Sequence, residues 1–149
     1  MKLEQKSMYV DRVVLDANFF ISIIINGKLA QFSKLIIDNN IEVFLCDELL
    51  YEIQHVLSRS KFKNKFTKTE IRKNINYIKL ITTKQNIDER FDRAPDPKDN
   101  YLFDLCYAVK SYYLITGDKP LLNLKHVNKI QIITLSKFYK LVKEQTPDL

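Results

Sequence analysis

The order of apolar segments predicts an α/β fold with a mostly parallel sheet. Continuous apolar runs, typical of short strands buried on both faces, lie at 12–16, 41–46, 112–116 and 130–134. Longer segments with helical spacing of apolar residues separate these runs. Because strand and helix alternate along the chain, parallel strands joined by helical crossovers are the expected arrangement.

Breakers and capping residues set the expected helix boundaries. Helices are predicted over 18–25 and 29–38, from an Asp47 N-cap to about Ser58, from the Thr67-x-x-Glu70 capping box to about Leu80, over 99–110, and from a Ser136 cap onward. Residues 81–94 are ambiguous and leave room for a short edge strand, and 94–98 form a rigid turn around two prolines.

Length and composition predict one globular domain over residues 1–149. Its core is expected at about 12–143, with loose tails at 1–8 and 146–149. Apolar residues make up 46% of the chain and charged residues 28%, which is typical of a soluble protein. No apolar run reaches the roughly 20 residues of a membrane span, and the N-terminus lacks a signal-like apolar segment. We therefore expect a cytoplasmic protein with no membrane contact.

The cysteines and histidines argue against thiol and zinc chemistry. Cys46 and Cys106 are too few for a disulfide framework, and both are expected to be reduced and buried. His55 and His126 have no metal-ligand spacing to the cysteines or to each other. What remains for polar chemistry is the set of carboxylates.

Two acids stand directly after predicted buried strands. Asp16 follows the run at 12–15, and Asp118 follows Thr116-Gly117 after the third strand. In open α/β sheets ligands bind outside the carboxyl ends of the strands, so these side chains are expected to face a ligand site. Several acids meeting there resist ionisation unless a divalent metal is present. Metal-assisted chemistry on phosphate is the commonest use of such a site.

Taken singly, each acid also has a structural interpretation. Asp16 could cap a helix, Asp99 could cap the helix that begins there, and Asp118 could serve a strand-to-helix turn. Periodicity alone favours a solvent-facing Glu52, because Glu52 only borders the apolar stripe of its helix. Asp104 lies within its helix, either exposed or as a further acid near the site.

The net charge of +6 favours a polyanionic partner, and basic residues crowd one stretch in which Phe62 and Phe66 are interleaved. This stretch is either a solvated connection or a rim that tracks a nucleic-acid backbone and offers aromatic surfaces to bases. Its basic residues are Lys61, Lys63, Lys65, Lys68, Arg72 and Lys73.

At these acids the chain resembles the PIN domain family of metal-dependent nucleases, over nearly everything from Arg12 to Lys143. The matching motifs are Asp16-Ala17-Asn18, Glu52 ahead of Val56-Leu57, Asp96-Pro97-Lys98-Asp99-Asn100 and Thr116-Gly117-Asp118. The run from Asp96 to Leu122 resembles most a bacterial subgroup described as toxins of toxin–antitoxin systems. That subgroup usually has small residues and an Asp where this chain has Lys110-Ser111-Tyr112.

The resemblance implies a three-layer α/β/α sandwich with the acids at the carboxyl edge of its sheet. It also implies a ribonuclease that uses one or two Mg²⁺ or Mn²⁺ ions. The acids that would bind metal and catalyse hydrolysis are Asp16, Glu52, Asp99 and Asp118. Around them, Asn18 and Thr116 would orient carboxylates or waters, and Asp104 would be an accessory residue. RNA, an antitoxin protein and a second copy of the chain are the implied partners.

Two other functions remain open on the sequence. One is a phosphatase or phosphoryl-transfer domain on a doubly wound sheet, which would also use acids at strand ends. The placements of Glu52 and Asp99 favour the nuclease over that alternative. The other is a catalytically silent module of the same fold that binds RNA or a protein partner.

Overall fold

The computed structural model describes residues 10–59 and 65–145, and its strands form one sheet. The strands are β1 (Arg12–Leu15), β2 (Glu42–Leu45), β3 (Thr83–Lys84), β4 (Tyr113–Ile115), β5 (His126–Val127) and β6 (Ile130–Ile133). They lie in the order β3-β2-β1-β4-β6-β5, and every neighbouring pair is parallel except β5 with β6. The predicted mostly parallel sheet is confirmed.

Helices connect the strands and complete the α/β/α sandwich that the sequence predicts. They are α1 (Ala17–Ile25), α2 (Leu29–Asp38), α3 (Asp47–Leu57), α4 (Lys68–Ile81), α5 (Asn100–Val109), α6 (Lys119–Asn123) and α7 (Leu135–Gln145). A 3₁₀ turn over Pro97–Asp99 leads directly into α5.

The sheet reverses its direction of growth between β1 and β4. From β1 the chain first adds β2 and β3 on one side, and then β4 and β6 on the other. In doubly wound sheets such a switch point opens a crevice at the carboxyl ends of the two central strands, because the connections leave toward opposite sides. Leu15 and Ile115 end these strands side by side, so the residues that follow them border this crevice.

Apolar strands and helix faces build the core under that edge. Val13, Val14, Leu15, Leu114 and Ile115 are at most 1% exposed, as expected for strands with both faces covered. The predicted apolar stripes of the helices also pack inward, and the largest fully buried rings are Phe20, Phe103 and Phe138. The edge therefore rests on a rigid, water-free base.

Several local details differ from the sequence prediction. Cys46 is the N-cap of α3, and Asp47 is its first helical residue. Thr134 rather than Ser136 caps α7, since its Oγ1 accepts a bond from Lys137 N at 3.2 Å. The short elements α6 and β5 were not predicted, because five and two residues are too few to show a period.

Some sequence predictions fall outside the described residues. The tails at 1–8 and 146–149 are among them, as are Lys61 and Lys63. The single-domain prediction for residues 1–149 therefore stays a prediction. In the portions that the structure does describe, no helix is both long enough and apolar enough to span a bilayer.

Lys110 ends α5 in a strained backbone conformation. It has φ 56° and ψ 42°, the left-handed region in which a Cβ atom is unfavourable. The conformation lets the next residue turn back, so that Ser111 N donates to Cys106 O at 2.9 Å.

We expect Lys110→Gly to raise the free energy of unfolding by about 0.5–1 kcal/mol. Glycine relieves the left-handed strain, and this gain exceeds the extra backbone entropy that glycine has in the unfolded chain. Urea denaturation measures the change. Lys110→Ala is the matched control, because it removes the same side chain and keeps the Cβ atom. Equal stability of the two variants would contradict the explanation.

Candidate active site

Asp16 lies at the switch point, directly after β1. Its backbone N–H donates to Ile115 O at 3.1 Å, which continues the pairing of β1 with β4. Its Oδ1 accepts from Phe19 N at 3.1 Å and so caps α1, while its Oδ2 accepts a short hydrogen bond from the Thr116 hydroxyl. Only 6% of the residue is exposed. The capping interpretation is correct, and it coexists with a place at the sheet edge.

The Thr116 hydroxyl joins two of the predicted acids. It donates to Asp16 Oδ2 and accepts from Asp118 N at 3.0 Å. Thr116 is itself 3% exposed, and its N–H donates to Ile133 O at 3.0 Å, so the hydroxyl has a fixed position. The predicted orienting role of Thr116 therefore has a direct structural basis.

Asp118 follows β4 and caps α6. Its Oδ2 accepts from Leu121 N at 3.1 Å, and the residue is half-buried. The carboxylate also raises the pKa of Asp16, which places the two acids within electrostatic reach of each other. Gly117, between Thr116 and Asp118 in the chain, has no close neighbour where a Cβ would stand, so sterics do not require glycine there.

Asp99 enters the site from the turn before α5. The turn is capped by Asp96, whose Oδ1 accepts from Lys98 N at 3.0 Å, and Asn100 Oδ1 accepts from Ala94 N at the same distance. Asp99 stands at the N-cap position of α5 but makes no side-chain capping bond. The capping interpretation of Asp99 is thus wrong, because Asp96 and Asn100 hold the turn and leave the Asp99 carboxylate uncommitted.

The electrostatics connect the four predicted acids through Asp99, on which the charges of the other three act. Burial raises the pKa of Asp99 to about 6, and repulsion from Asp96, Asp118, Asp16 and Glu52 adds to this shift. Burial likewise raises the pKa of Asp16, partly offset by the bonds from Thr116 and Phe19. The sequence places these acids on four separate segments, and the fold brings their charges to one edge.

Glu52 reaches the site from the second turn of α3. It is half-buried, next to the buried stripe of Leu49, Ile53 and Leu57. Its charge raises the pKa of both Asp99 and Tyr101. Periodicity alone had favoured a solvent-facing side chain, whereas the structure gives Glu52 a boundary position beside the other acids.

Tyr101 is a site residue that the sequence did not reveal. Burial raises the pKa of its phenol, and Glu52, Cys46, Asp99 and Asp16 raise it further. The tyrosine follows the acidic turn by two residues, and no period or motif distinguishes it from an ordinary core aromatic. Its hydroxyl stays protonated in this acidic setting and can serve as a neutral donor.

The two remaining predicted accessory residues have different environments. Asn18 has an exposed side chain in the first turn of α1, and its backbone N–H lowers the pKa of Asp16. Asp104 is 6% exposed, and its Oδ1 accepts from Arg90 N and Phe91 N at 3.1 and 2.9 Å. Those bonds anchor the segment at 90–91, which precedes the acidic turn.

The thiols are inert, as the sequence predicts. Cys46 and Cys106 are both free and buried. Burial raises the pKa of Cys46 to about 11 and that of Cys106 further, so neither forms a thiolate near neutral pH. Cys46 directly follows β2 and packs in the core.

The donor set suits a hard divalent cation. Mg²⁺ and Mn²⁺ prefer carboxylate oxygens, and the mutual repulsion of these acids is what a cation would relieve. Over 10–59 and 65–145, no three His, Cys, Asp or Glu side chains already stand close enough together to hold a metal ion. The four acids fit a metal by their chemistry and by the charge that they share around Asp99, and their side chains would have to close up in order to bind it.

Comparison with known families agrees with this site. A family model described as PIN domain matches residues 12–120, which contain all four acids. The chain therefore belongs to the PIN domain family. PIN domains are in general nucleases, which are hydrolases, and they usually depend on divalent metals. A search of the curated proteins finds no match.

We expect Thr116→Val to lower the free energy of unfolding by about 1–3 kcal/mol. The substitution removes the hydroxyl that donates to Asp16 Oδ2 and that accepts from Asp118 N, at a buried position. It should also raise the pKa of Asp16 further. Urea denaturation at neutral pH tests this. Thr116→Ser keeps the hydroxyl and should lose much less; a loss as large as that of the valine variant would refute the role of the bridge.

We expect Asp99→Asn to stabilise the protein at pH 7.5. The pKa of Asp99 is raised from 3.8 to about 6, so the folded state binds this proton more tightly than the unfolded chain does. Stability from this group is present at low pH and is lost as pH rises from 3.8 through about 6. Asparagine removes that loss, and the advantage should shrink at pH 4.

Thermal unfolding at the two pH values measures this effect. Asp38→Asn is the matched control, because Asp38 is an exposed carboxylate whose ion pair with Lys34 contributes little to stability. An Asp99 variant that melts at or below the wild-type temperature at pH 7.5 would contradict the electrostatic account.

Proposed function

We propose that this protein is a metal-dependent endoribonuclease that hydrolyses RNA phosphodiester bonds. The observation that carries the proposal is the gathering of acids at the switch point, where the Thr116 hydroxyl joins Asp16 to the backbone of Asp118. Burial raises the pKa of Asp99 there, and the charges of Asp96, Asp118, Asp16 and Glu52 add to that shift. Acids brought together from distant segments at a switch point destabilise the fold, and a bound cation is the ordinary reason to keep them. Membership of a nuclease family supports the same chemistry.

In this proposal Asp16, Glu52, Asp99 and Asp118 hold one or two Mg²⁺ or Mn²⁺ ions. A bound divalent cation supplies Lewis acidity and lowers the pKa of water, so that hydroxide is available near neutral pH. The Asp99 carboxylate makes no capping bond, so both of its oxygens are available to hold a metal ion or to orient the attacking water. Two hydrogen bonds fix the Asp16 carboxylate, so it is suited to hold a metal ion in a set position.

Other residues of the edge complete the site. The Thr116 hydroxyl keeps Asp16 and the Asp118 backbone in register. Lys98 and Lys119 are exposed next to Asp99 and Asp118, where they can attract the phosphate and offset the negative charge. The protonated Tyr101 hydroxyl is a neutral donor that adds no further charge.

RNA is the proposed substrate because the chain carries a net charge of +6 despite its acidic site. Of the predicted phosphate-binding residues within the described chain, Lys65, Lys68, Arg72 and Lys73 are all exposed. We further propose that the protein is the toxin of a toxin–antitoxin system, with an antitoxin partner and self-association. That part rests on the likeness of the run from Asp96 to Leu122 to bacterial toxins of this family.

The decisive experiment compares wild type with Asp16→Asn on a mixed RNA pool containing Mn²⁺ or Mg²⁺. Asparagine can still accept from Phe19 N, and the Thr116 hydroxyl can accept a hydrogen bond from the asparagine amide, so the variant should fold. We expect cleavage by wild type only, loss of cleavage in EDTA, and recovery when metal is restored. Asp38→Asn serves as the control and should cleave like wild type.

A thermal shift separates this function from a silent binding module. Mn²⁺ should raise the melting temperature of wild type by several degrees and that of Asp16→Asn much less, since ligand binding to the folded state stabilises it. Cleavage that persists in EDTA, or that is unchanged in Asp16→Asn, would refute the mechanism. A folded wild type that neither cuts RNA nor responds to Mn²⁺ would favour the binding module.

A further inference from the structure

Helix α3 carries an exposed pair of aromatic rings beside the site. Tyr51 is 69% exposed, and its ring lies parallel to that of His55, with centroids 5.7 Å apart and planes 7° apart. The two residues are one helical turn apart, and both face solvent. Core packing does not account for a tyrosine exposed to this degree, whereas flat, preoriented rings are what nucleic-acid bases stack upon.

A basic cavity lies on the adjacent side of α3. It has a volume of about 380 Å³ between α3 and α4. Gln54 and Ser58 line it from α3, and Lys68, Arg72 and Lys79 line it from α4. No carboxylate among the described residues forms an ion pair with these three cations, so their charge is available to a polyanion.

The order of residues around α3 connects the cavity to the acids. Successive residues are about 100° apart on a helix, so Tyr51 and His55 share one stripe. Gln54 and Ser58 fall on one flank of that stripe, toward the cavity, and Glu52 falls on the other flank. Going round the exposed side of α3, the cavity with the cations of α4 therefore comes first, the aromatic rings come next, and Glu52 comes last.

We propose that single-stranded RNA crosses α3 along this path. Phosphates would contact Lys68, Arg72 and Lys79, and bases would stack on Tyr51 and His55 before the chain reaches Glu52. The proposal rests on the ribonuclease function above and adds the residues that would guide the strand to the acids. Only an unpaired strand presents free base faces to an aromatic pair, because in a duplex those faces are stacked on one another.

Among the predicted basic residues, this path distinguishes those that line the cavity. Lys68 and Arg72 do, together with Lys79, which the sequence did not single out. Lys73 is exposed on α4 but does not line the cavity. Lys73→Ala is therefore the matched control for Lys79→Ala, since both variants remove one lysine charge from the same helix.

The test measures binding without cleavage. The Asp16→Asn protein is titrated in EDTA against a fluorescein-labelled oligouridine of about 12 nucleotides, a length in the range of single-strand sites. Adding Tyr51→Ala and His55→Ala should weaken binding about tenfold or more, with no change in salt dependence. Tyr51→Phe should bind like the parent, because phenylalanine keeps the stacking surface.

The cation variants should behave differently. Lys79→Ala should weaken binding and reduce the slope of log affinity against log salt by about 0.7, whereas Lys73→Ala should have a smaller effect. Tyr139→Ala, at another exposed aromatic on α7, should leave affinity unchanged. Circular dichroism melting confirms that each variant is folded.

Three outcomes would overturn the proposal. The first is unchanged affinity in the Tyr51 and His55 variant, and the second is an equal loss in Tyr139→Ala. The third is a shift in oligomeric state on gel filtration with RNA affinity unchanged, which would make this face a contact with a second copy. If wild type shows metal-dependent cleavage alongside any of these results, the RNA path across α3 is overturned and the ribonuclease function stands. If wild type neither binds nor cleaves RNA, the ribonuclease function itself is overturned.

Discussion

The repulsion among the carboxylates at the sheet edge is the constraint on which this structure depends. Asp16, Glu52, Asp99 and Asp118 each raise the pKa of a neighbour, so their assembly works against folding. The apolar strands β1 and β4 beneath them are almost completely buried and supply the stabilisation that holds the edge together. A bound cation would turn this repulsion into attraction, which links folding stability to function.

Backbone hydrogen bonds make the arrangement specific. Asp16 and Asp118 each cap a helix with one oxygen, and the Thr116 hydroxyl joins the first acid to the backbone of the second. The structural and catalytic interpretations of these acids are therefore complementary, because a capping bond fixes the orientation of a carboxylate. Asp99 differs, since Asp96 takes over the capping of its turn.

Helix α3 couples the acidic edge to the rest of the surface. Its buried stripe anchors it to the sheet, its boundary residue Glu52 joins the acids, and its exposed stripe carries Tyr51 and His55. The cations of α4 lie across a cavity from the same helix. A basic protein with an acidic centre thus has a continuous surface on which charge changes sign, as a nuclease needs in order to attract a polyanion and hold a metal.

The sequence by itself determined the mostly parallel α/β fold and the position of Asp16 and Asp118 after buried strands. Both follow from local patterns, namely continuous apolar runs and the residues that end them. Its motifs also predicted Glu52 and Asp99 through their likeness to PIN domains, although periodicity and capping rules pointed elsewhere. Only the tertiary structure decided that Asp104 anchors the segment at 90–91, that Tyr101 stands among the acids, and that Lys79 faces the cavity beside α3. Those facts depend on which elements pack together, and no local pattern carries that information.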